Sequence, residues 1–272
     1  MPLAVCATPI GNLEDVTLRV LEELREADTV LCEDTRHTAV LLDRYGIAGG
    51  GRLLSYHEHN EAARTEELLP RLAAGERMAL VSDAGLPGVN DPGGRLVSAA
   101  LERGIPVTVL PGPSAVETAL VASGLAGSQY RFLGYLPRRD AERGALWEEL
   151  RRWSHPAVGF ESPKRLPRTL SSLAASLPDR RVAVCRELTK RFEEVVRGTA
   201  AAVAASFTEP PKGEITLVID GASPDTVGDA SLTVAVAAVR ELVTAGHPRR
   251  AAAELVASLT GHPRNALYQR SL

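Results

Sequence analysis

Three loops rich in Gly and Pro carry the side chains whose chemistry is most informative in this 272-residue chain. The longest loop, residues 80–94, follows a short apolar run and contains two aspartates. Shorter loops at residues 7–15 and 110–115 also follow apolar runs and precede helix-like segments. Open α/β sheets hold their ligands in such loops, at the carboxyl ends of the strands. Three loops from one sheet edge would enclose a single cleft, and the aspartates predict a ligand with hydroxyls, amines or a positive centre.

Several other catalytic and binding patterns are missing from the sequence. There is no Gly-x-Gly-x-x-Gly fingerprint and no P-loop, so a conventional dinucleotide or nucleoside triphosphate site is disfavoured. There is no Gly-x-Ser-x-Gly elbow and no Cys-x-x-Cys pair, which removes support for hydrolase chemistry and for a zinc or redox motif. The cysteines lie in apolar runs and are predicted to be buried, reduced thiols. They are Cys6, Cys32 and Cys185.

Two polar segments offer further candidate contacts. In residues 55–60, His57 and His59 would lie on opposite sides of a strand and lack a third ligand, so no metal site is predicted. The preferred interpretation is a segment that faces a substrate, with His57, His59 or Asn60 contacting a phosphate or a base. Residues 33–36 place two acids and an arginine at a strand end. This is typical either of a site or of a helix N-cap with a flanking ion pair.

The elements that position these loops follow from the apolar pattern. Strand and helix patterns alternate up to Gly124, which predicts a mainly parallel sheet covered by helices. Strands then sometimes follow one another directly, which indicates a second α/β domain with a mixed sheet. We place these two domains at residues 1–126 and 127–221. The composition of residues 222–230 predicts a linker, and residues 231–272 a small helical domain.

Charge is unevenly distributed along the chain, although the formal net charge is only −3. Cationic side chains near predicted strand ends could bind a phosphate backbone; they occur in residues 161–165, 186–194 and 212–214. The tail has five arginines and two glutamates and predicts helices at residues 234–245, 249–259 and 264–271. A tight Gly turn before the last helix gives it the outline of a helix-turn-helix, and a solvated helical cap is the alternative. No apolar run approaches about 20 residues and no N-terminal signal is evident, which predicts a cytoplasmic protein without membrane spans.

Taken in order, the motifs resemble the ribosomal RNA small subunit methyltransferase I family of tetrapyrrole-methylase-like, S-adenosylmethionine-dependent enzymes. The matching motifs are residues 7–15, 33–38, 81–85 with 90–93, 110–115, 134–137, 160–163, 186–190 and 212–214. The tail resembles the small C-terminal helical domain of the family. The resemblance implies a homodimer of two-domain α/β chains with S-adenosylmethionine between the domains. It also implies methylation of the ribose 2′-hydroxyl of a cytidine in the decoding region of 16S rRNA, within the small ribosomal subunit.

The resemblance also suggests roles for individual residues, and none of them is a metal ligand. Cofactor contacts are expected from Pro9, Val81, Asp83, Leu86, Ser114, Ala115, Phe160, Lys212 and Gly213. Candidates for assisting the attacking hydroxyl are Glu33, Asp34, His57 and Lys190. Candidate RNA contacts are Arg36, His59, Asn60, Lys164, Arg165, Arg249, Arg250 and Arg264. Asp91 is expected to shape the second turn of its loop and to cap the helix that follows.

Some residues depart from the family pattern, and two other functions remain open. Leu86 and Gly88 stand where the family more often has a threonine and a bulkier apolar residue, and Lys164 stands where histidine is usual. One alternative is a methyltransferase of the same fold that acts on a tetrapyrrole. The basic tail and the cationic second domain argue against a small acidic macrocycle as sole substrate. The other alternative is a ligand-sensing regulator whose helix-turn-helix binds DNA.

Overall fold

The structure is a computed structural model that describes the backbone of residues 2–222 and 224–272 and the side chains of residues 2–222 and 232–272. The first half forms a five-stranded parallel sheet in the order β3-β2-β4-β1-β5, which confirms the predicted parallel sheet. Its strands are β1 (Leu3–Cys6), β2 (Thr29–Cys32), β3 (Leu53–Ser55), β4 (Met78–Leu80) and β5 (Val107–Leu110). Its helices are α1 (Leu18–Glu26), α2 (Thr35–Arg44), α3 (Glu61–Ala73), α4 (Gly94–Glu102) and α5 (Ala115–Ser123).

Both faces of this sheet are covered, which explains why its central strands are nearly continuous apolar runs. Helices α1 and α2 close one face around Val20, Leu24 and Leu42. Helices α3 and α4 close the other face around Leu68 and Leu96. The three cysteines are free and buried, as predicted. Burial raises the pKa of the Cys6 thiol to about 12, so this thiol stays protonated and unreactive at neutral pH.

The second half forms a five-stranded mixed sheet in the order β6-β7-β10-β8-β9, again as predicted. The pair β6 and β7 is parallel and the other three pairs are antiparallel. The strands are β6 (Arg131–Tyr135), β7 (Ala157–Glu161), β8 (Arg181–Arg186), β9 (Glu194–Thr199) and β10 (Ile215–Ile219). The helices are α6 (Asp140–Arg152), α7 (Leu166–Ser176) and α8 (Ala200–Ser206), which pack on one face around the buried Trp147.

Among the described residues, the two sheets are joined at α5 and at the loop after β1. Helix α5 packs on the other face of the second sheet and shares one apolar cluster with it, including Val116 and Leu120. The loop after β1 lies against the turn between β8 and β9, where the Asn12 N–H donates to Thr189 Oγ1 over 3.0 Å. A Cβ on Gly11 would come within 2.5 Å of Lys190 Cγ and 2.9 Å of the backbone oxygen of Leu188. Glycine is therefore required for this close approach.

The tail forms three helices, α9 (Pro224–Thr244), α10 (Arg249–Thr260) and α11 (Arg264–Arg270). They enclose a small core of their own, centred on Val239, Ala253 and Leu267. Gly246 and Gly261 have φ of +95° and +73° and end α9 and α10, as their positions in the sequence predict. The described helices include none that is long and apolar enough to cross a membrane.

The predicted linker at residues 222–230 is helical from residue 224 onward, because α9 begins at Pro224. Residue 223 lies outside the described residues. A proline suits the first turn of a helix, since its missing N–H would have no intrahelical partner there.

Helix α2 begins at Thr35, three residues before its apolar pattern starts at residue 38. The Asp34 carboxylate accepts from the Arg36 N–H over 2.9 Å and so caps the helix three residues upstream of that pattern.

Candidate functional site

A cleft of about 1030 Å³ lies between the two sheets. Loops after β1, β4 and β5 supply one wall, and the second sheet supplies the other. The loops brace one another through the backbone: Thr8 and Gly85 exchange N–H···O bonds of 2.8 and 3.0 Å, and the Ala7 N–H donates to the Leu110 oxygen. A Cβ on Gly112 would come within 2.9 Å of the Ala7 Cβ. The predicted single cleft walled by three loops is confirmed.

The described lining of this cleft has five carboxylates and neither Lys, Arg nor His. The five acids are Glu33, Asp91, Glu117, Glu161 and Glu214. Three of them have side-chain partners among the described residues. Glu161 accepts from Thr169 Oγ1 and pairs with Arg165, Glu117 accepts from the hydroxyls of Ser114 and Tyr130, and Glu214 pairs with Lys190. The remaining two, Glu33 and Asp91, are the lining carboxylates best placed to act on a ligand.

Asp91 is one of these two, and its predicted capping role is wrong. Helix α4 is capped instead by Glu61, whose Oε1 accepts from the N–H groups of Gly93 and Arg95 over 3.0 and 3.3 Å. The Asp91 carboxylate is half-buried at the cleft and has no hydrogen bond or ion pair within the part of the chain that the structure describes. Burial, and then the neighbouring charges of Glu33 and Asp83, raises the pKa of this carboxyl to about 6.

Glu33 is the second, and it lies close enough to influence Asp91. Burial raises its pKa, and the charge of Asp83 adds to that rise, while a hydrogen bond from the Asp83 backbone and the nearby His57 oppose it. A pair of carboxyls that resist ionisation at a cleft is a common arrangement at catalytic sites. Glu33, a candidate from the sequence, and Asp91, which the sequence did not suggest for such a role, therefore both line the cleft.

Asp34 and Asp83 serve the neighbouring structure instead of the cleft. Asp34 caps α2 and forms an ion pair of 2.6 Å with Arg36, and these hydrogen bonds from Arg36 hold the pKa of Asp34 well below its usual range. Asp83 accepts from the Asp34 N–H over 3.1 Å and lies 3.2 Å from His37 Nδ1. For Asp34 and Arg36, the helix-cap interpretation of residues 33–36 matches the geometry.

His57, a candidate for assisting the hydroxyl, lies beside the candidate RNA contacts Asn60 and His59, and its buried Nδ1 has no hydrogen-bond partner among the described residues. Asn60 accepts from the His57 N–H over 2.9 Å, donates to the Ser55 oxygen and lies 3.4 Å from His57 Nε2. His59 is exposed, and its ring meets that of His57 edge to face. Within the described residues, no group of three or more His, Cys, Asp or Glu could hold a metal ion.

Lys190 lies at the rim of the cleft between two acids. Its Nζ is 3.0 Å from Glu187 Oε1 and 2.9 Å from Glu214 Oε2. Burial alone would lower the pKa of Lys190, but the hydrogen bonds to Glu214 and Glu187 hold it above its usual value. An ammonium of this kind is a fixed positive charge and cannot accept a proton from a hydroxyl.

The structure brings together most of the residues expected to contact the cofactor. Five of them line the cleft: Leu86, Ser114, Ala115, Phe160 and Gly213. Gly213 has φ of +96°, and a Cβ there would meet the Glu187 side chain. Pro9 and Val81 are buried beneath the loops, and Lys212 precedes Gly213 with its oxygen accepting from Arg186.

The residues expected to contact RNA fall into two groups. Arg165 and Arg249 bind within the chain, the first to buried Glu161 and the second to the backbone oxygen of Ser271. The exposed cations Lys164, Arg250 and Arg264 form no ion pair with any described residue. The last two lie on the helical tail. Three aromatic side chains of the second wall, Tyr130, Phe132 and Tyr135, were not predicted at all.

Two five-stranded sheets with a cleft between them define a protein of the tetrapyrrole (corrin/porphyrin) methylase class, whose family model matches residues 2–204. A second model, for the RsmI C-terminal HTH domain, matches residues 230–272. A ribosomal RNA small subunit methyltransferase I from Micromonospora olivasterospora is 43% identical over 270 residues, which cover 98% of this chain and 85% of that protein. One from Synechocystis sp. is 43% identical over 272 residues, or 99% of this chain and 97% of that protein. The chain therefore belongs to the ribosomal RNA small subunit methyltransferase I family, as its motifs predict.

A solved structure supports the same fold. Uroporphyrin-III C-methyltransferase from Thermus thermophilus, in complex with S-adenosylhomocysteine, matches with a TM-score of 0.54 and 21% identity. The match covers 79% of this chain and 96% of that chain. The predicted two-domain α/β fold with a helical tail is confirmed. The methyl donor is S-adenosylmethionine, also as predicted.

The lining of the cleft fits this donor. S-adenosylmethionine carries a sulfonium and an ammonium, and an acidic lining in which Glu33 and Asp91 have no side-chain partner among the described residues favours both charges. The N-terminus of α5 opens on the cleft at Ser114 and Ala115 and is suited to the carboxylate of the same molecule. The same lining disfavours nucleoside triphosphates, in agreement with the missing P-loop.

Proposed function

We propose that this protein transfers the methyl group of S-adenosylmethionine to the ribose 2′-hydroxyl of a cytidine in the decoding region of 16S rRNA. It acts on the small ribosomal subunit in the cytoplasm, as a homodimer. The observation that carries this proposal is the 43% identity to proteins named ribosomal RNA small subunit methyltransferase I over 98–99% of the chain. The match of residues 230–272 to the helix-turn-helix domain supports it further, since a catalytic core alone would not need this unit.

When bound, S-adenosylmethionine supplies a methyl group on a sulfonium, which an oxygen nucleophile displaces in line to leave a neutral thioether. The enzyme must align the ribose oxygen with the methyl–sulfur bond, and a group must accept the proton of the hydroxyl. Asp91 is suited to the second task, because it reaches the cleft, has no partner among the described residues and has a pKa of about 6. Glu33 keeps the proton affinity of Asp91 high through its negative charge.

The fixed charges around the cleft have positioning roles in this proposal. The Lys190 ammonium stays bound to Glu187 and Glu214 and so orders the turn that contacts the β1 loop. Exposed Arg250 and Arg264 on the helical tail supply charge for the phosphate backbone, which supports a nucleic-acid acceptor. The acids of the cleft make a polycarboxylate macrocycle an unfavourable occupant, because like charges would be forced together.

Methyl transfer to small subunits tests the proposal. Purified protein with radiolabelled S-adenosylmethionine should label 30S subunits that lack the modification and should leave unlabelled those that already carry the 2′-O-methyl group. Mass spectrometry of nuclease digests then identifies the nucleotide. Equal labelling of both subunit preparations would reject the proposed target. Labelling of uroporphyrinogen but not of subunits would favour the tetrapyrrole function, and sequence-specific duplex DNA binding without methyl transfer would favour the regulator.

A further inference from the structure

Aromatic side chains are concentrated on the second wall of the cleft. The chain has only 11 Phe, Tyr and Trp residues in its 272 positions. Four of them line the cleft, and all four come from β6, β7 or the segment just before β6. Phe160 is the centre of the group, with ring centroids 5.2 Å from Phe132 and 5.6 Å from Tyr135, both edge to face. Tyr135 is 63% exposed, so its ring presents a face that the chain itself leaves uncovered.

A β-bulge places the Tyr135 ring at the cleft. In a regular strand, Phe132 and Tyr135 would point to opposite faces because they are three residues apart. The pairing of β6 with β7 shifts register between these two residues, and Gly134 between them has φ of +64°. Bulges re-aim side chains and occur often beside binding sites. Both rings therefore line the same cleft.

Two positive charges flank this group of rings. Strands β6 and β7 are parallel, so the loops that carry Arg138 and Lys164 leave the same edge of the sheet. Both side chains are exposed, and neither forms an ion pair with the described residues. The acids nearby are already neutralised, since Asp140 pairs with Arg143 and Arg168. A negatively charged ligand at this edge would meet free cations.

The cleft is large for a small-molecule site. Its volume of about 1030 Å³ reaches the upper end of the range of roughly 300–1,000 Å³ that is usual for a site holding one drug-sized molecule. The acids and small residues of the loop wall suit a cationic donor. The wall of aromatic rings with cations at its edge suits a flat, uncharged ring that carries a phosphate.

We propose that Tyr135, supported by Phe160 and flanked by Arg138 and Lys164, is the binding subsite for the acceptor nucleotide. The Tyr135 ring stacks on a base that has left its own stack, and the two cations bind the adjacent phosphates. The inference rests on the proposed function and specifies its substrate half. Because stacking tolerates every base, the subsite positions the nucleotide without selecting cytidine.

Replacement of the ring tests the stack. The Tyr135→Leu variant should lower the affinity of the S-adenosylhomocysteine-loaded protein for 30S subunits, and kcat/KM for those subunits, by about 5- to 150-fold. The Tyr135→Phe variant keeps the ring and should stay within about threefold of the wild type. The dissociation constant of S-adenosylmethionine, measured by calorimetry, should not change in either variant. The matched control is Phe192→Leu, which removes an aromatic side chain that is 65% exposed and does not line the cleft.

Two results would overturn the subsite: wild-type affinity for subunits in Tyr135→Leu, or a loss of S-adenosylmethionine affinity as large as the loss of kcat/KM. The second result would assign the ring to the cofactor. A wild-type protein that binds subunits but transfers no methyl would reject the proposed function and leave the affinity comparison decisive. Thermal unfolding of each variant confirms that it is folded.

Removal of the flanking charges gives an independent measurement. Lys164→Gln and Arg138→Gln should each weaken binding and lower the slope of log Kd against log salt by about 0.7–0.9. Arg103→Gln is the control, because Arg103 follows the C-terminus of α4 at the opposite edge of the first sheet. An unchanged slope in both test variants would contradict the phosphate contacts.

Discussion

The two walls of the cleft are built in different ways. The first sheet contributes loops that follow its strands, with small residues for close approach and with two acids, Glu33 and Asp91, that have no side-chain partner among the described residues. The second sheet contributes rings from within strands, re-aimed by a bulge, with cations at the edge. One wall is therefore equipped for charge and proton transfer, and the other for shape and stacking. Changes to the first wall should alter chemistry or the cofactor, and changes to the exposed Tyr135 ring of the second wall should alter substrate binding.

The largest expected effect tests whether the first wall carries the chemistry. Asp91→Asn removes the proton acceptor and should lower kcat by roughly 10²- to 10⁴-fold, while KM for subunits changes little. A base works only when it is deprotonated, so wild-type kcat should fall as the pH drops through about 6. The variant should lack this dependence. Single-turnover methyl transfer between pH 5 and 8.5 measures both quantities.

Asp43→Asn is the matched control, because Asp43 is exposed on α2 and does not line the cleft. A kcat for Asp91→Asn within threefold of the wild type would mean that alignment of the reactants suffices without this base. Loss of activity together with an unchanged pH profile would move the role to Glu33.

A smaller effect is expected where the two walls meet. Gly11→Val inserts a side chain against Lys190 Cγ and the Leu188 backbone, which should cost about 1–3 kcal/mol as overpacking. The walls should separate, so S-adenosylmethionine affinity should fall by roughly tenfold and the Tm should decrease. Calorimetry and thermal unfolding measure these changes. Gly50→Val is the control because nothing lies within 4 Å of a Cβ there. Equal behaviour of the two variants would mean that the interface does not set cofactor affinity.

The smallest expected effect is on stability: the Asp91→Asn variant should lose activity but gain stability at high pH. The Asp91 carboxyl has its pKa raised from 3.8 to about 6, so the native state binds more protons than the unfolded state between these values. Its contribution to stability is present below about pH 4 and is lost as the pH rises through about 6. Asp91→Asn should therefore be more stable than the wild type at pH 8 by roughly 1–2 kcal/mol, and similar at pH 4. Urea unfolding at both pH values checks this, and a less stable variant at pH 8 would contradict it.

Much of the first wall could be predicted from the sequence, because Gly, Pro and a break in the apolar pattern indicate the loops that follow the strands. The free carboxylate of Asp91 could not be predicted from the sequence. The cap of α4 comes from Glu61, which lies 32 residues upstream of Gly93, and only the fold brings Glu61 and Gly93 together. The aromatic wall could not be predicted, because side chains alternate between the two faces of a regular strand and would place Phe132 and Tyr135 on opposite faces. The bulge that brings both rings to the same face depends on the pairing of β6 with β7. The composition of residues 222–230, rich in Ser, Asp and Gly, did not predict that α9 begins at Pro224.

The acidic lining also affects the release of the spent cofactor. Each methyl transfer converts a positively charged sulfonium into an uncharged thioether, so the spent cofactor loses an attraction that the fresh one has. The lining carboxylates that are ionised and not already paired with a cation therefore favour the fresh donor over the spent cofactor. An inhibitor that resembles the spent cofactor gains from restoring a fixed positive charge at that position.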